Sequence, residues 1–391
     1  IIIFVFSLFF FYGYFLNVSY AFHIPNDWIN IKPTSGKNTD PGSNTNQHES
    51  GDDPVNIVTG NFIYRHQDIF IPGRIPLEIT RTYNCQDMRE GPFGYGWTFS
   101  YDIGLIVNKS CSGKICIVRG VIPGVRLEYI QSENGSFSPP KGYYMELIEG
   151  SNGYILIRKD GTRYNFDILG NLIFIEDRNG NKLHFSYDGS GKLVSVSDDA
   201  GRTLSFIYGS NNKIIKIIDP ANRVFSYSYD EDNNLIAYTN PAGYTTRYTY
   251  DDKHRLISII DPKGTTYLTN TYDDLNRVTQ QVYNGGIWTF SYYPDSRYTI
   301  VENSRGYSET YYYDERGNLT KRCNPYGVYA QFTWDENNNL ISIQDSYGNI
   351  STYSYDNKGN LVSITDAQGN AIYFTYDPNF NYITAITGPS G

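Results

Sequence analysis

Side chains able to do chemistry are few and scattered in this 391-residue chain. Its cysteines are Cys85, Cys111, Cys116 and Cys323, and its histidines His23, His48, His66, His184 and His254. Zinc needs more ligands at closer spacing than any of these stretches offers, so no metal centre is expected. Neither His-Glu-x-x-His nor Gly-x-Ser-x-Gly occurs, which leaves zinc-protease and serine-hydrolase chemistry without a starting point. Glycines from Gly91 to Gly96 lack both the spacing and the following helix of a dinucleotide site. Cys111-Ser112-Gly113-Lys114-Ile115-Cys116 sets two thiols across a glycine turn. In an oxidising compartment that suggests a disulfide between Cys111 and Cys116, with free thiols as the alternative. Cys85 and Cys323 read as small buried hydrophobes. Asp177, Asp198, Asp219, Asp261, Asp345 and Asp366 each precede a Gly or Asn by three residues. That is turn chemistry, not a catalytic or calcium-binding set. The chain therefore reads as non-enzymatic and without a cofactor.

What does recur is aromatic. Phe166, Tyr187, Tyr208, Tyr229, Tyr250, Tyr272, Tyr293, Tyr313, Trp334, Tyr355 and Tyr376 follow one another at steps of 20 to 22 residues. Seven of the tyrosines are followed by Asp, at Tyr187-Asp188, Tyr229-Asp230, Tyr250-Asp251, Tyr272-Asp273, Tyr313-Asp314, Tyr355-Asp356 and Tyr376-Asp377, and Phe166-Asp167 and Trp334-Asp335 are near copies. A fixed period marks a repeat architecture. Each unit runs from aromatic-Asp through a Gly/Asn turn, an aliphatic stretch and a second turn into polar-aromatic alternation, which is the pattern of a hairpin. Aromatics two apart, as at Phe185/Tyr187, Tyr248/Tyr250 and Phe374/Tyr376, share one face of a strand, whereas a helix would need spacings of three or four.

About eleven hairpins side by side would make a ribbon near 100 Å long at ~4.8 Å per strand, too long to stay flat and open. The expected fold is all-β: tandem hairpin repeats of about 21 residues forming a curled sheet, a spiral or a hollow β-shell. The side on which the rings lie stays open. The repeat tyrosines would lock hairpin to hairpin, and the following Asp residues would fix the turns. Rings in every unit favour cross-strand stacking, while an exposed aromatic ladder would suit sugar or cell-wall binding.

Thirty-eight Tyr and thirty-six Gly agree with aromatic strands and tight turns. A net charge of −9 without any basic stripe argues against nucleic acid as a partner. Residues 1–21 are apolar and end in Ser19-Tyr20-Ala21, as in an export signal; a membrane anchor is the alternative, although the run falls short of a spanning helix. Residues 22–50 read as a flexible linker, 51–164 as a β-rich N-terminal module and 165–391 as repeats. The expected location is secreted or at the cell surface. The missing initiator Met and the mid-rhythm ending suggest a stretch of a longer chain.

Gly51-Asp52-Asp53-Pro54-Val55-Asn56, Thr59-Gly60-Asn61-Phe62, Ile71-Pro72-Gly73, Thr80-Arg81-Thr82-Tyr83-Asn84 and Gly91-Pro92-Phe93-Gly94 with Gly96-Trp97 resemble the module that precedes the repeats in Rhs proteins. The Tyr-Asp units resemble Rhs/YD repeats, related to the YD shell of teneurins, and the resemblance spans about Gly51 to Gly391. It implies a β-cocoon enclosing a variable C-terminal toxin that a self-cleaving segment releases. No such segment is present, so no protease or toxin residue carries over. The implied partner is a C-terminal effector domain of the same polypeptide. A cell-surface glycan or protein held by the aromatic ladder is the alternative.

Overall fold

The computed structural model describes residues 55–110, 113–122 and 125–389, without the side chains of 109, 110 and 113. The export segment, the linker and Cys111 lie outside the described residues. From Glu146–Gly150 to Ile383–Thr387, twenty-four antiparallel strands follow one another in chain order as one ribbon. The ribbon thus begins within the stretch that sequence alone assigns to the preceding module.

The turns explain why these residues form hairpins. Asp188 Oδ1 accepts the amides of Ser190 and Lys192 at 2.8 and 3.0 Å. At the opposite edge Asp198 Oδ1 does the same for Ala200 and Arg202 at 3.0 and 2.9 Å. The fourth residue is left-handed, as at Gly191 and Gly201, which glycine adopts without strain. In the tip after Tyr250 that place is taken by His254, at φ 60°. Both edges of the ribbon therefore end in the same self-capped tip.

The curl also has a local cause. The ladder slips by one residue at Ser186/Tyr187, Ile207/Tyr208, Ser228/Tyr229, Thr249/Tyr250 and Ser354/Tyr355. A bulge bends its strand and increases its twist. Repeated at the aromatic of successive units, it coils the ribbon. The ribbon then laps itself at its tips without closing a ladder. Lys159 Nζ donates to Lys358 O at 3.0 Å, Gly359 O at 3.3 Å and Asn360 Oδ1 at 3.1 Å. Asn381 Nδ2 returns a bond to Lys159 O at 2.9 Å, and the Arg178 guanidinium lies over Phe380 and Tyr382. Nineteen strands separate the 158–161 and 356–360 tips. At ~4.8 Å each, one lap is roughly 90 Å around and 30 Å across. The expected curled all-β ribbon is the observed fold.

Residues 55–138 form smaller sheets. In one, Leu77–Asn84 pairs with Ile63–Ile71 on one side and Trp97–Phe99 on the other, and another contains Gly104–Ser110, Gly113–Arg119, Arg126–Gln131 and Phe137–Ser138. This module seats on the inner wall of the ribbon. Phe62, Tyr83, Phe93, Trp97 and Phe99 share one continuous core with Phe206, Phe225, Tyr248 and Leu256.

Candidate functional site: the seam between the N-terminal module and the repeat wall

The repeat aromatics face inward, half-buried, and bond to backbone. Tyr187 Oη donates to Leu172 O at 3.0 Å, Tyr229 to Ile214 O at 2.7 Å and Tyr250 to Leu235 O at 2.8 Å. Tyr355 and Tyr376 repeat this at Leu340 O and Leu361 O, and Trp334 Nε1 does so at Leu319 O. Each bond reaches fifteen residues back, to the first residue of the preceding aliphatic strand. Burial pushes the Tyr187 phenol up to about 12. Two units depart from the pattern. Tyr293 stacks on Tyr298 and is 43% exposed, while its neighbour Tyr292 donates to Val278 O at 2.6 Å. Pro294–Ser296 forms a short 3-10 turn there, and the backbone leaves the repeat by one residue. Tyr313 has the Thr299 side chain beside its hydroxyl.

Each following aspartate caps its own tip. Asp230, Asp251, Asp314 and Asp356 Oδ1 accept the amide four residues on at 2.7 to 2.9 Å, and Asp377 Oδ1 accepts that of Phe380 at 2.8 Å. Hydrogen bonds led by the Ser190 hydroxyl hold the Asp188 carboxyl below its ordinary value.

The module grips this wall through an ion pair that is wholly buried. Arg81 Nε and Nη2 donate to Asp68 at 2.6 and 2.9 Å, and both side chains are shut off from solvent. Asp68 also accepts Tyr227 Oη at 2.8 Å and lies 2.7 Å from His66 Nδ1. The rings of Trp97, Tyr227, Tyr238 and Tyr248 surround the guanidinium at 4.8 to 5.7 Å. Such contacts strengthen when water is excluded. Burial alone would raise the Asp68 carboxyl, but Arg81 and the His66 hydrogen bond outweigh it and hold it below its ordinary value. With its lone pairs engaged, Asp68 has no free position from which to take a proton. The arrangement can lock two surfaces together.

Further contacts flank the lock. Tyr83 Oη accepts Leu256 N at 2.8 Å and donates to His254 O at 3.3 Å. Gly60 O accepts Val278 N and Pro92 O accepts Ile214 N, each at 2.9 Å. Where the 55–61 turn crosses the wall, inward positions become polar: Thr299 Oγ1 donates to Ile57 O at 2.6 Å, and Gln281 bonds Asn270 beneath it. Beside the lock an open cleft of about 870 Å³ is lined by His66, Asp68, Phe70, Arg223, Tyr238 and Tyr244. Arg81 is marked in the sequence only as part of the Thr80–Asn84 motif, and Asp68 belongs to none of the motifs. The available signal was Arg81 itself, two residues before Tyr83 and hence on the same face as the aromatic.

Cys85 is buried at this seam, and burial pushes its thiol up to about 12. Cys116 is buried in the smaller sheet, its thiol raised to about 11 by burial, and Cys323 is half-buried. The Cys111–Cys116 pairing falls outside the described residues because Cys111 does.

Three family models match the chain in order. A domain of unknown function, DUF6531, covers residues 52–120 and the Teneurin YD-shell covers 150–245. The RHS Repeat covers 229–266, 313–350, 334–371 and 355–391. The tRNA nuclease WapA of Bacillus subtilis strain 168 is 32% identical over 117 residues, which is 30% of this chain and 5% of that protein. The tRNA3(Ser)-specific nuclease WapA of Bacillus spizizenii matches over the same lengths at the same identity. The match thus spans about a twentieth of the length of these curated relatives. Among solved structures, the TcdB2-TccC3-Cdc42 crystal structure is 10% identical with a TM-score of 0.43, over 84% of this chain and 23% of that one. A Tc holotoxin pore of Photorhabdus luminescens gives the same score over 22% of its chain. With the module and the units behind it each matched in sequence, this chain is an Rhs/YD-repeat protein.

Proposed function

We propose that this chain is the N-terminal part of an exported, non-enzymatic shell that encloses or presents a C-terminal effector domain of the same polypeptide. One observation supports this most. The module fills the first half of the lap. It touches the later units through Ile57, which packs against their core, and Tyr144, which lies against Asn339 and Gly359, leaving much of their inward surface half-buried. There Tyr311, Tyr329, Trp334, Leu340, Tyr355, Leu361 and Ile364 face inward and are only half-buried. A wall of that composition offers apolar and aromatic surface to a guest. Matches to the RHS Repeat and Teneurin YD-shell models agree with a shell-forming role.

The test is protease protection in the complete translation product. A segment following residue 391 should resist digestion in the intact protein and be cut readily when expressed alone. Equal digestion in both forms would remove the enclosure reading. Export is checked separately by fractionating cells that produce the protein with its first residues intact. Retention in the cytosol would remove that part and leave enclosure standing.

A further inference from the structure

We propose that the open edge of the Ile63–Ile71 strand binds an extended peptide segment that carries a carboxylate opposite Arg65. The source of that segment rests on the enclosure reading above: it is part of the effector domain. Ile63–Ile71 ends its sheet. Leu77–Asn84 lies on one side of it, and no strand among those described pairs with the other. Strands of the module step along the wall in order: Phe99 meets Phe206, Arg81 meets Tyr248 and Tyr64 meets Tyr267. The free edge therefore looks toward the later units, whose inward surface is half-buried.

The main chain at this edge is unpaired. Thr80 O accepts Ser100 N at 3.0 Å and Thr80 N donates to Ser100 Oγ at 2.8 Å, so the peptide groups of Thr80 point away from Ile63–Ile71. In an antiparallel ladder its partner Gln67 then turns its own N–H and C=O to the open side, and Arg65, two residues earlier, does the same. Neither main chain has a hydrogen-bond partner on that side among the described residues. Such an edge is a template for one more strand. The slip between Gln67 and Ile69 ends the regular edge, which leaves 63–67 for pairing.

Arg65 selects the occupant. Tyr64 and His66 turn to the wall, where Tyr64 Oη lies 3.2 Å from Tyr267 Oη and the His66 ring 5.2 Å from that of Tyr238. Arg65 and Gln67 stand on the other face. Arg65 is half-buried, its Nε is shut off from solvent without an acceptor, and burial pulls its guanidinium below its ordinary value. It has no ion pair or hydrogen bond among the described residues, whereas Arg81 on the next strand has Asp68. A charge taken out of water destabilises unless it is paired. A residue paired with Arg65 across the edge has its Cβ ~5 Å away on the same face, where a Glu or Asp carboxylate accepts the guanidinium in two parallel bonds. Charges on edge strands also serve to repel a further strand, but such a charge projects into water, and the Arg65 Nε is enclosed.

Hydrogen exchange at the Arg65 and Gln67 amides is the test. In the complete translation product both should exchange about tenfold or more slowly than in this 391-residue chain, as amides in a formed ladder do. Arg65→Met should abolish that slowing. In the 391-residue chain the same change should leave the melting temperature unchanged or higher, since it removes a charge that has no partner there. Arg74→Gln, at an exposed arginine in the turn at the far end of the strand, should leave the slowing intact. Any of these results overturns the proposal: the amides exchange equally in the two forms, the slowing survives Arg65→Met, or Arg65→Met lowers the melting temperature of the shorter form. Slowing that appears in the shorter form as its concentration rises also overturns it, and would mean that a second copy pairs with the edge. Protease protection separates the two readings. Equal exchange with the segment after residue 391 still protected removes the edge site and leaves enclosure standing, whereas equal exchange with that segment digested removes both.

Discussion

Trp97 and Tyr250 join the two halves of the molecule through one oxygen. The indole Nε1 of Trp97 donates to Tyr250 Oη at 2.8 Å, and that hydroxyl donates onward to Leu235 O at 2.8 Å. Tyr250 thus serves as the repeat latch and as the acceptor for the module. Tyr376 makes only the latch, to Leu361 O. Tyr250→Phe, which strands a buried indole N–H as well, should cost ~1–3 kcal/mol, and Tyr376→Phe about 1. Tyr250→Ala should cost ~3–5 kcal/mol, as large aromatic deletions do. Denaturant melts of the three variants check the order. Equal losses for the two Phe variants would show that the indole bond contributes nothing.

The Asp68–Arg81 pair gives a pH-dependent prediction. Asp68→Asn leaves a buried guanidinium without its counter-charge and should destabilise the protein by ~3–5 kcal/mol, whereas Asp68→Leu with Arg81→Met should recover most of that loss. The folded carboxyl lies below its ordinary value. Its contribution is therefore complete above the unfolded value near 3.9 and is lost as pH falls through the folded one. The stability gap between wild type and Asp68→Asn should be constant from pH 7 to about 5 and shrink below about 4. A gap that widens on acidification would mean that Asp68 is already protonated in the fold.

The hairpins, their tips and the tyrosine period were legible because each depends on residues within one unit. Aspartate caps its own turn, and glycine or asparagine supplies the left-handed step. The side on which the rings fall was not legible, since alternation gives two faces and no sign of curvature. That sign comes from the slip at the repeat aromatics other than Tyr293, as at Thr249/Tyr250, which is a property of the pairing and not of either strand. Phe290-Ser291-Tyr292-Tyr293 shows the limit of spacing. Period alone selects Tyr293, yet the backbone turn at Pro294–Ser296 hands the latch to Tyr292. Asp68 and Arg81 meet tyrosines 159 and 167 residues away in sequence, and no local pattern announces such a contact.

Two glycines with similar dihedrals separate backbone strain from docking. Gly94 sits at φ +92°, and a Cβ there would lie 2.3 Å from Asn233 O on the repeat wall. Gly243 sits at φ +84° with open space around it. Gly243→Ala should cost only the left-handed penalty of ~1–2 kcal/mol. Gly94→Ala adds a clash with backbone and should cost at least twice that, with faster proteolysis confined to residues 55–101. Equal costs would show that the module can shift without loss.

Lys159 is the cation that hydrogen-bonds across the lap, beside the Arg178 guanidinium over Phe380 and Tyr382. Lys159 reaches two carbonyls and one amide oxygen on the 356–360 tip, and Asn381 closes the ring from the next tip. Because these tips cap themselves, removing the cation should loosen the lap without melting either hairpin. Lys159→Met should lower protection of the Gly359 and Asn360 amides by about 1 kcal/mol, roughly five- to tenfold in hydrogen-exchange rate, with little change in global stability. Lys192→Met serves as the control, since Lys192 joins neighbouring tips along one edge through Asn212 Oδ1 at 2.7 Å and takes no part in the lap. Faster exchange spread over every tip would mean that the lap supports the whole coil. Unchanged exchange at 356–360 would mean that the ribbon holds its curvature from the bulges alone.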